Sequence, residues 1–143
     1  MRAAFTMSEL LLPELHAAAG CREAGAQVDF VGIVRNHNQG RPVEALEYSA
    51  YAELAEREGS RILNEAMERF PLHAALASHR IGHLLVGDVA VRVSVAASHR
   101  EEAFAACRWL IDQIKSRVPI WKREHYRDGE SAWVEGNCDH ATG

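Results

Sequence analysis

The sequence contains few cysteines, and none stands in a pattern that indicates a chemical role. Cys21, Cys107 and Cys138 are scattered and odd in number, and they form no Cys-X-X-Cys pair. A disulfide framework and a cysteine-based zinc site are therefore not indicated. We expect all three cysteines to be structurally incidental.

The sequence also lacks long apolar runs, repeats and linkers. No apolar run is long enough to cross a membrane, and Met1 to Leu12 lack the basic start and apolar core of a signal peptide. We therefore expect a cytoplasmic protein. The length of 143 residues fits one domain over 1–143, with its core at about 27–135.

Negative charge exceeds positive charge overall, but positive charge is concentrated in one segment. The formal net charge is −4, which argues against general nucleic-acid binding. Between His99 and Arg127, however, seven Lys/Arg residues stand against four Asp/Glu residues. A local basic cluster in an acidic protein suits a small anionic ligand better than a polyanion.

The spacing of apolar residues predicts an α+β protein. Helices are predicted at 10–24, 52–70 and 98–117. Strands are predicted at 27–35, 43–51, 75–81, 88–97 and 130–135. Strands and helices are mixed without strict alternation, which is typical of the α+β class.

The last helix and the strand before it have further recognisable patterns. Ser98 and Glu101 form a capping-box pattern at the start of the helix. Its predicted apolar stripe consists of Phe104, Cys107, Leu110, Ile111 and Ile114. In the strand at 88–97, valines alternate with smaller or polar residues, which predicts one face in the core and one partly exposed to water.

The first candidate for ligand binding is His99-Arg100, at the start of the helix at 98–117. The unpaired N–H groups and positive dipole end of a helix N-terminus favour anions. A cationic pair at that end costs a little stability unless an anion lies nearby. The alternative is a solvated pair in which Arg100 simply faces water.

The second candidate is the group Lys115, Lys122 and Arg123, with Arg117 between them. Lys115 and Arg117 lie at a helix C-terminal end, where cations are favourable for purely structural reasons. That explanation does not cover Lys122-Arg123, which follow Pro119. Lysines flanked by apolar residues can serve as nucleophiles or proton donors.

The third candidate is Arg35, at the end of the strand at 27–35. Gly32 within that strand suggests a close approach of backbone or ligand. Arg35 opens onto a polar loop and could clamp a phosphate. A bulge glycine followed by a surface arginine explains the same pattern equally well.

The eight histidines raise the question of a metal site. His79 and His83 are four residues apart, but Gly82 lies between them and the context is extended, so we predict no catalytic metal. The sequence also contains no Gly-rich phosphate loop, Gly-X-Ser-X-Gly elbow or Cys/His nucleophile pattern.

Seven motifs follow one another along most of the chain. They are Phe30–Asn38 (FVGIVRNHN), Leu46–Tyr51 (LEYSAY), His79–Gly82 (HRIG), Gly87–Val89 (GDV), Ser98–Arg100 (SHR), Lys115–Glu124 (KSRVPIWKRE) and Trp133–Glu135 (WVE). Together they resemble the family of molybdopterin synthase large, catalytic subunits. The long block at 115–124 and the motif at 98–100 are highly specific.

The resemblance implies a fold of the α/β-hammerhead type, with an antiparallel or mixed sheet and two long helices. It implies a homodimer of large subunits, each carrying a small ubiquitin-like sulfur-carrier subunit. The thiocarboxylated Gly-Gly C-terminus of that partner would enter the active site and donate sulfur. The implied substrate is cyclic pyranopterin monophosphate, on which two transfers form the molybdopterin dithiolene. No cofactor, nucleic acid or membrane is implied.

The resemblance also implies which residues act. Lys115 would be the essential lysine beside the incoming tail, and Lys122 the second catalytic lysine. The implied substrate-binding residues are Ile33, Val34, Arg35, His99, Arg100, Lys115, Lys122, Arg123 and Glu124.

Helix geometry adds a constraint to this assignment. The predicted helix starts seventeen residues before Lys115, and an unbroken helix would separate its ends by about 25 Å. We therefore predict a shared site, with Arg35, Lys115 and Lys122 from one protomer and His99 and Arg100 from the other.

Two other functions stay open at this point. The chain could be a non-catalytic module that docks a ubiquitin-like protein, which would not need Lys115 at a defined position. It could also be a phosphate-ester hydrolase that uses its histidines, in which case a chelator would abolish activity.

Overall fold

The computed structural model describes residues 2–135, which form nine strands and two helices. The strands are β1 (Arg2–Ser8), β2 (Ala26–Ile33), β3 (His37–Asn38), β4 (Arg41–Ala50), β5 (Leu72–Arg80), β6 (Gly82–Leu85), β7 (Val89–Ala97), β8 (Ile120–Tyr126) and β9 (Ser131–Glu135). The helices are α1 (Ala52–Arg69) and α2 (Arg100–Arg117). The predicted α+β class with two long helices is confirmed. Neither helix in this range is long and apolar enough to cross a membrane.

The first sheet carries both helices. Its four strands lie in the order β1-β5-β7-β2, with β1 parallel to β5 and the other neighbours antiparallel. Helix α1 contacts β1 and β5, whereas α2 contacts β2 and β7. Apolar side chains at helical spacing fill the space between helices and sheet. The largest of these fully buried side chains are Ile62, Leu63, Val93, Val95 and Leu110.

Two glycines allow close approaches within this core. A Cβ on Gly59 of α1 would overlap the ring of Phe5 in β1, so only glycine lets the helix lie this close to the strand. A Cβ on Gly32 of β2 would overlap the side chain of Val91 in β7. The approach of backbone or ligand predicted at Gly32 is thus not what the structure has, since the approaching group is the side chain of a core residue.

The predicted helix at 10–24 does not form. This segment makes turns and lies against the second face of the first sheet, where Ala17 packs with Ala74 and Ala96. The Ala17 N–H donates to Ser94 Oγ (3.0 Å), and Arg92 Nε donates to the Leu12 carbonyl (3.2 Å). Short helices are only marginally stable alone, so these tertiary contacts decide the conformation.

The same segment changes the environment of β7. Its residues from Val93 to Ala97 are all buried, because α2 packs against one face and the segment at 10–24 covers the other. The predicted partial exposure of the second face is limited to Arg92, which is half-buried. The edge strand β1 was also not predicted.

The second sheet is built around β4 and β8. Its strand order is β3-β4-β8-β9, and β6 also pairs with β4. A smaller core holds this sheet against the end of β2; its members include Val34, Val43, Leu46, Leu84 and Tyr126. The strands β3, β6 and β8 were not predicted as separate elements.

The start of α2 differs from the predicted capping box. The residue at the cap is His99, and no side chain caps the helix there. Ser98 Oγ instead lies 2.8 Å from His73 Nε2, so the hydroxyl has a tertiary partner. Phe104 is also not part of the buried stripe, since it is 62% exposed.

Candidate functional site

A large cleft lies where α2 faces the end of β2 and the inner side of β8. Its volume is about 1090 Å³. Six of the residues implied by the resemblance line it: Ile33, Val34, Arg35, Lys115, Lys122 and Glu124. These residues come from three separate stretches of sequence, and the fold brings them together.

Both lysines of the sequence are in this cleft. Lys115 lies in the last turn of α2, where the helix dipole favours a cation, and it is partly buried. Lys122 lies on β8 and is only 5% exposed. The chain contains fourteen arginines and only these two lysines, so its side-chain amines are restricted to the cleft.

Glu124 lies two positions after Lys122 on β8, so both side chains face the cleft. It is 3% exposed and accepts hydrogen bonds from Asn38 Nδ2 (3.1 Å) and from the Tyr126 hydroxyl (2.9 Å). Burial and this carboxylate raise the pKa of Tyr126. These bonds fix the carboxylate against the wall of the cleft and tie β8 to the β3 hairpin.

His79 also lines the cleft, although it was not among the candidate site residues predicted from the sequence. Its Nδ1 lies 2.7 Å from the Arg80 carbonyl, which can only accept, so Nδ1 carries the proton. Burial, and to a smaller extent the nearby charge of Lys115, lower the pKa of His79 to about 4. The imidazole is therefore neutral at pH 7 and its Nε2 is an acceptor. The Tyr48 ring contacts it edge-on at 4.9 Å.

The three residues at the end of β2 all line the cleft but differ in their burial and contacts. Arg35 is exposed at the cleft, just after the strand. The Val34 side chain belongs to the core of the second sheet, and its N–H donates to the Asp88 carbonyl (3.0 Å). Ile33 is 56% exposed and, with Val31 and Phe104, gives the cleft an apolar rim.

Three of the implied residues do not line this cleft. His99 and Arg100 are exposed at the opposite end of α2, an unbroken helix of 18 residues and therefore about 27 Å long. Arg123 alternates with Lys122 and Glu124 on β8 and so points to the other face of the sheet. There it donates to Ser131 Oγ (3.0 Å) and lies over the Trp133 ring at 5.7 Å.

The cysteines in the described range have no contact that suggests chemistry. Cys107 is a buried free thiol in α2, and burial raises its pKa to about 11, so the thiolate is scarce at neutral pH. Cys21 is also a free thiol. Cys138 lies outside the described residues.

Comparison with known proteins gives a consistent result. Residues 5–117 match the model of the MoaE protein family. The chain is 49% identical over 126 residues to a molybdopterin synthase catalytic subunit from Pyrococcus abyssi, covering 88% of this chain and 84% of that protein. A MoaE protein structure from Burkholderia ambifaria superposes with a TM-score of 0.80, at 33% identity, covering 97% of this chain and 95% of that one.

A more distant structure is informative about the fold. It is a complex of subunits 1 and 2 of the molybdopterin-converting factor from Helicobacter pylori, with a TM-score of 0.69. Its matching chain is 18% identical, and the match covers 92% of this chain and 89% of that one. The arrangement of sheets and helices is thus retained across large sequence divergence.

Proposed function

Because this chain belongs to the MoaE family of molybdopterin synthase catalytic subunits, we propose that it transfers sulfur to cyclic pyranopterin monophosphate. The sulfur comes from the thiocarboxylated C-terminus of a small ubiquitin-like subunit. The observation that carries the proposal is the cleft, which collects both lysines of the chain beside Arg35. As part of this proposal, the reaction takes place in the cytoplasm.

The charges in the cleft suit a phosphorylated substrate. Lys115, Lys122 and Arg35 supply three cations, and Glu124 supplies a carboxylate that is already held by two hydrogen bonds. Lys122 is buried, so its charge acts in a medium of low dielectric constant, where its interaction with a phosphate is strengthened. These cations stabilise the negative charge that develops as the cyclic phosphate opens to a monoester.

The rim of the cleft suits a protein partner. Val31, Ile33 and Phe104 are exposed apolar side chains that line the cleft, which is an uncommon arrangement unless another molecule covers them. A Gly-Gly tail has no side chains beyond Cα and can pass such a rim toward Lys115. The partner's globular part would then rest outside the cleft.

Each sulfur transfer proceeds in two stages. The thiocarboxylate sulfur attacks a carbon of the pterin side chain and forms a C–S bond, while the C–O bond from that carbon to the cyclic phosphate breaks. The phosphate remains on the substrate as a monoester, and the partner is linked to the substrate as a thioester. Water then attacks the acyl carbon, the acyl C–S bond breaks, and the partner leaves with a carboxylate while the sulfur stays on the pterin. A second partner molecule transfers sulfur to the neighbouring carbon of the side chain, from which an oxygen leaves as water, and this completes the dithiolene.

Lys115 is the residue best placed to move protons in these steps. The competing group is His79, which lies in the same cleft. With a pKa of about 4 it is too weak a base to take up a proton efficiently at neutral pH. It serves as a fixed neutral acceptor and adds no further positive charge to those of Lys115, Lys122 and Arg35.

The position of His99 and Arg100 supports a site shared by two protomers. Both lie at the far end of α2 from Lys115 and outside the cleft of their own chain. In the proposed homodimer, these two residues reach the phosphate or pterin bound in the partner's cleft. The exposed cationic helix N-terminus then has an anion beside it, which offsets its electrostatic cost.

The decisive test is reconstitution. Purified chain, thiocarboxylated partner and cyclic pyranopterin monophosphate are combined, and dithiolene formation is measured. We expect product with the wild type and with Arg127→Gln, which removes a cation of the same sequence segment that does not line the cleft. Lys115→Ala should abolish it. Partner binding without product would make the chain a docking module, and chelator-sensitive phosphate release without partner would make it a hydrolase.

A further inference from the structure

A second cluster of chemically capable side chains lies on the other face of the second sheet. Glu47 is on β4, His83 on β6 and His125 on β8, and β4 is the strand between the other two. Glu47 is directly opposite His83 in the ladder, and His125 is one diagonal step away, since its direct partner is Ala45. Each of three neighbouring strands therefore presents one possible metal ligand on a common face.

The strands hold these side chains at short mutual distances. One ligand atom from each of Glu47, His83 and His125 lies within 4.8 Å of the others. Within the cluster, His125 Nε2 is 2.9 Å from Glu47 Oε1, and the His83 and His125 ring centroids are 6.0 Å apart. An ion at the centre would need side-chain rotations only, because the three backbones are already fixed by hydrogen bonds.

This cluster is separate from the cleft. The alternation of strand side chains sends Leu46, Leu84 and Glu124 to the inner side of the sheet, where they are buried. Glu47, His83 and His125 alternate with them and are partly or fully exposed on the outer side. An ion could therefore enter from solvent without passing the substrate.

On the outer face of the second sheet, the guanidinium of Arg123 is turned away from the cluster, toward β9. Arg123 is directly opposite Glu47 in β8, but its guanidinium donates to Ser131 Oγ and lies over Trp133, toward β9. It weakens cation binding by its charge without occupying the position between the three ligands.

We propose that Glu47, His83 and His125 form a binding site for a divalent transition-metal ion of the Zn²⁺ class. Two imidazole nitrogens and one carboxylate oxygen suit Zn²⁺, Cu²⁺ or Ni²⁺, whereas Mg²⁺ and Ca²⁺ prefer oxygen ligands alone. Three protein ligands leave one position for water. The ion would clamp β6, β4 and β8 together and so brace the strand that carries Lys122 and Glu124 on its inner side.

The test uses the untagged, metal-free chain, titrated with Zn²⁺ by calorimetry and with Co²⁺ by visible absorption. We expect one ion per chain, a rise in the melting temperature with Zn²⁺, and Co²⁺ bands without the sulfur charge-transfer absorption that a cysteine ligand would add. The Zn²⁺ affinity should fall by at least about tenfold in each of the variants His83→Gln, His125→Gln and Glu47→Gln. Loss of a residue that only hydrogen-bonds to a metal ligand already lowers metal affinity by about that factor, and loss of a ligand should lower it at least as much.

The control is His16→Gln, which removes a histidine from the segment at 10–24, and it should bind Zn²⁺ like the wild type. Equal Zn²⁺ affinity in the wild type and in a His83→Gln/His125→Gln double variant would overturn the proposal. Sulfur charge-transfer bands would also overturn it, because they would assign the ion to cysteine. Because the substituted side chains are partly or fully exposed, we expect the variants to fold. Circular dichroism of each variant checks this.

Discussion

Lys115 and Arg117 lie two positions apart in the last turn of α2 and point to different neighbours. Residues two apart on a helix do not share a face. Lys115 lines the cleft, whereas Arg117 binds Glu58 (3.0 Å) and Glu65 (2.6 Å) of α1. Hydrogen bonding to Arg117 lowers the pKa of Glu65. One cation is thus available for chemistry, and the other joins the two helices.

This difference predicts separate effects for two substitutions that each remove one positive charge: one should lower activity and the other stability. Lys115→Ala should lower kcat by at least about 100-fold, the lower range for loss of a general acid–base group, with little change in stability. Arg117→Gln should leave kcat nearly unchanged and lower the free energy of unfolding by about 1 kcal/mol, since its ion pairs are partly exposed to solvent. Steady-state kinetics and urea denaturation of both variants measure the two effects. A matched loss of kcat in both would show that helix integrity, rather than Lys115, is what matters.

The conservative variant Lys115→Arg separates charge from proton transfer. A guanidinium keeps the positive charge but stays protonated throughout the accessible pH range. We expect it to retain substrate binding, with KM within a few-fold of the wild type, while kcat stays close to that of Lys115→Ala. Full activity in this variant would rule out proton transfer by Lys115.

Mixing two inactive variants tests the shared site. Lys115→Ala and His99→Ala homodimers should both be impaired. After subunit exchange, the heterodimer has one cleft with both defects and one with neither, so activity should return. Subunit exchange is followed with a mass-tagged copy, and failure to recover activity after proven exchange would show that each cleft is built from one chain.

The buried His79 predicts a specific loss of stability in mild acid. Burial lowers its pKa from 6.5 to about 4, so the unfolded chain takes up a proton that the folded chain refuses. The folded state keeps its full stability above pH 6.5 and loses it as the pH falls toward 4, by about 3 kcal/mol in total. Urea denaturation from pH 7.5 to 4.5 should show this slope in the wild type and in His16→Gln. The slope should be clearly smaller in His79→Gln, and identical slopes in all three proteins would contradict the assignment.

Gly59 predicts an exception to helix propensity. Alanine normally stabilises a helix relative to glycine by about 1 kcal/mol. Here a methyl group would collide with the Phe5 ring, so Gly59→Ala should destabilise the protein by about 1–3 kcal/mol, as overpacking does elsewhere. Gly129→Ala is not a suitable control because its φ is positive. Ser60→Ala, in the next position of the same helix, is suitable and should be close to neutral in thermal denaturation.

Sequence patterns predicted the elements whose signals are local. Both long helices and five of the strands follow from apolar periodicity, and their observed ends lie close to the predicted ones. The segment at 10–24 was mispredicted because its conformation depends on contacts with Ser94 and Arg92, far away in sequence. The edge strand β1 depends likewise on parallel pairing with β5. Neither relationship leaves a periodic signal.

For the candidate site, too, the features that local motifs indicate were predicted, whereas those that depend on tertiary contacts were not. Motifs pointed to Arg35, Lys115, Lys122 and Glu124, and all of them line the cleft. The neutral state of His79 could not be predicted, since it results from burial and from a bond to the Arg80 carbonyl. Lys122 and Arg123 point to opposite faces because neighbouring residues of a strand alternate, but the strand β8 that carries them was not predicted from the sequence.

The rarity of lysine in this chain has a practical consequence for anyone who handles it. Reagents that acylate or carbamylate lysine side chains can modify only Lys115 and Lys122, so we expect coupling of this protein to a resin or dye through its lysines to inhibit it. The same property makes peptide mass mapping of lysine adducts a direct measure of cleft occupancy, because bound phosphate or partner tail would shield both positions together.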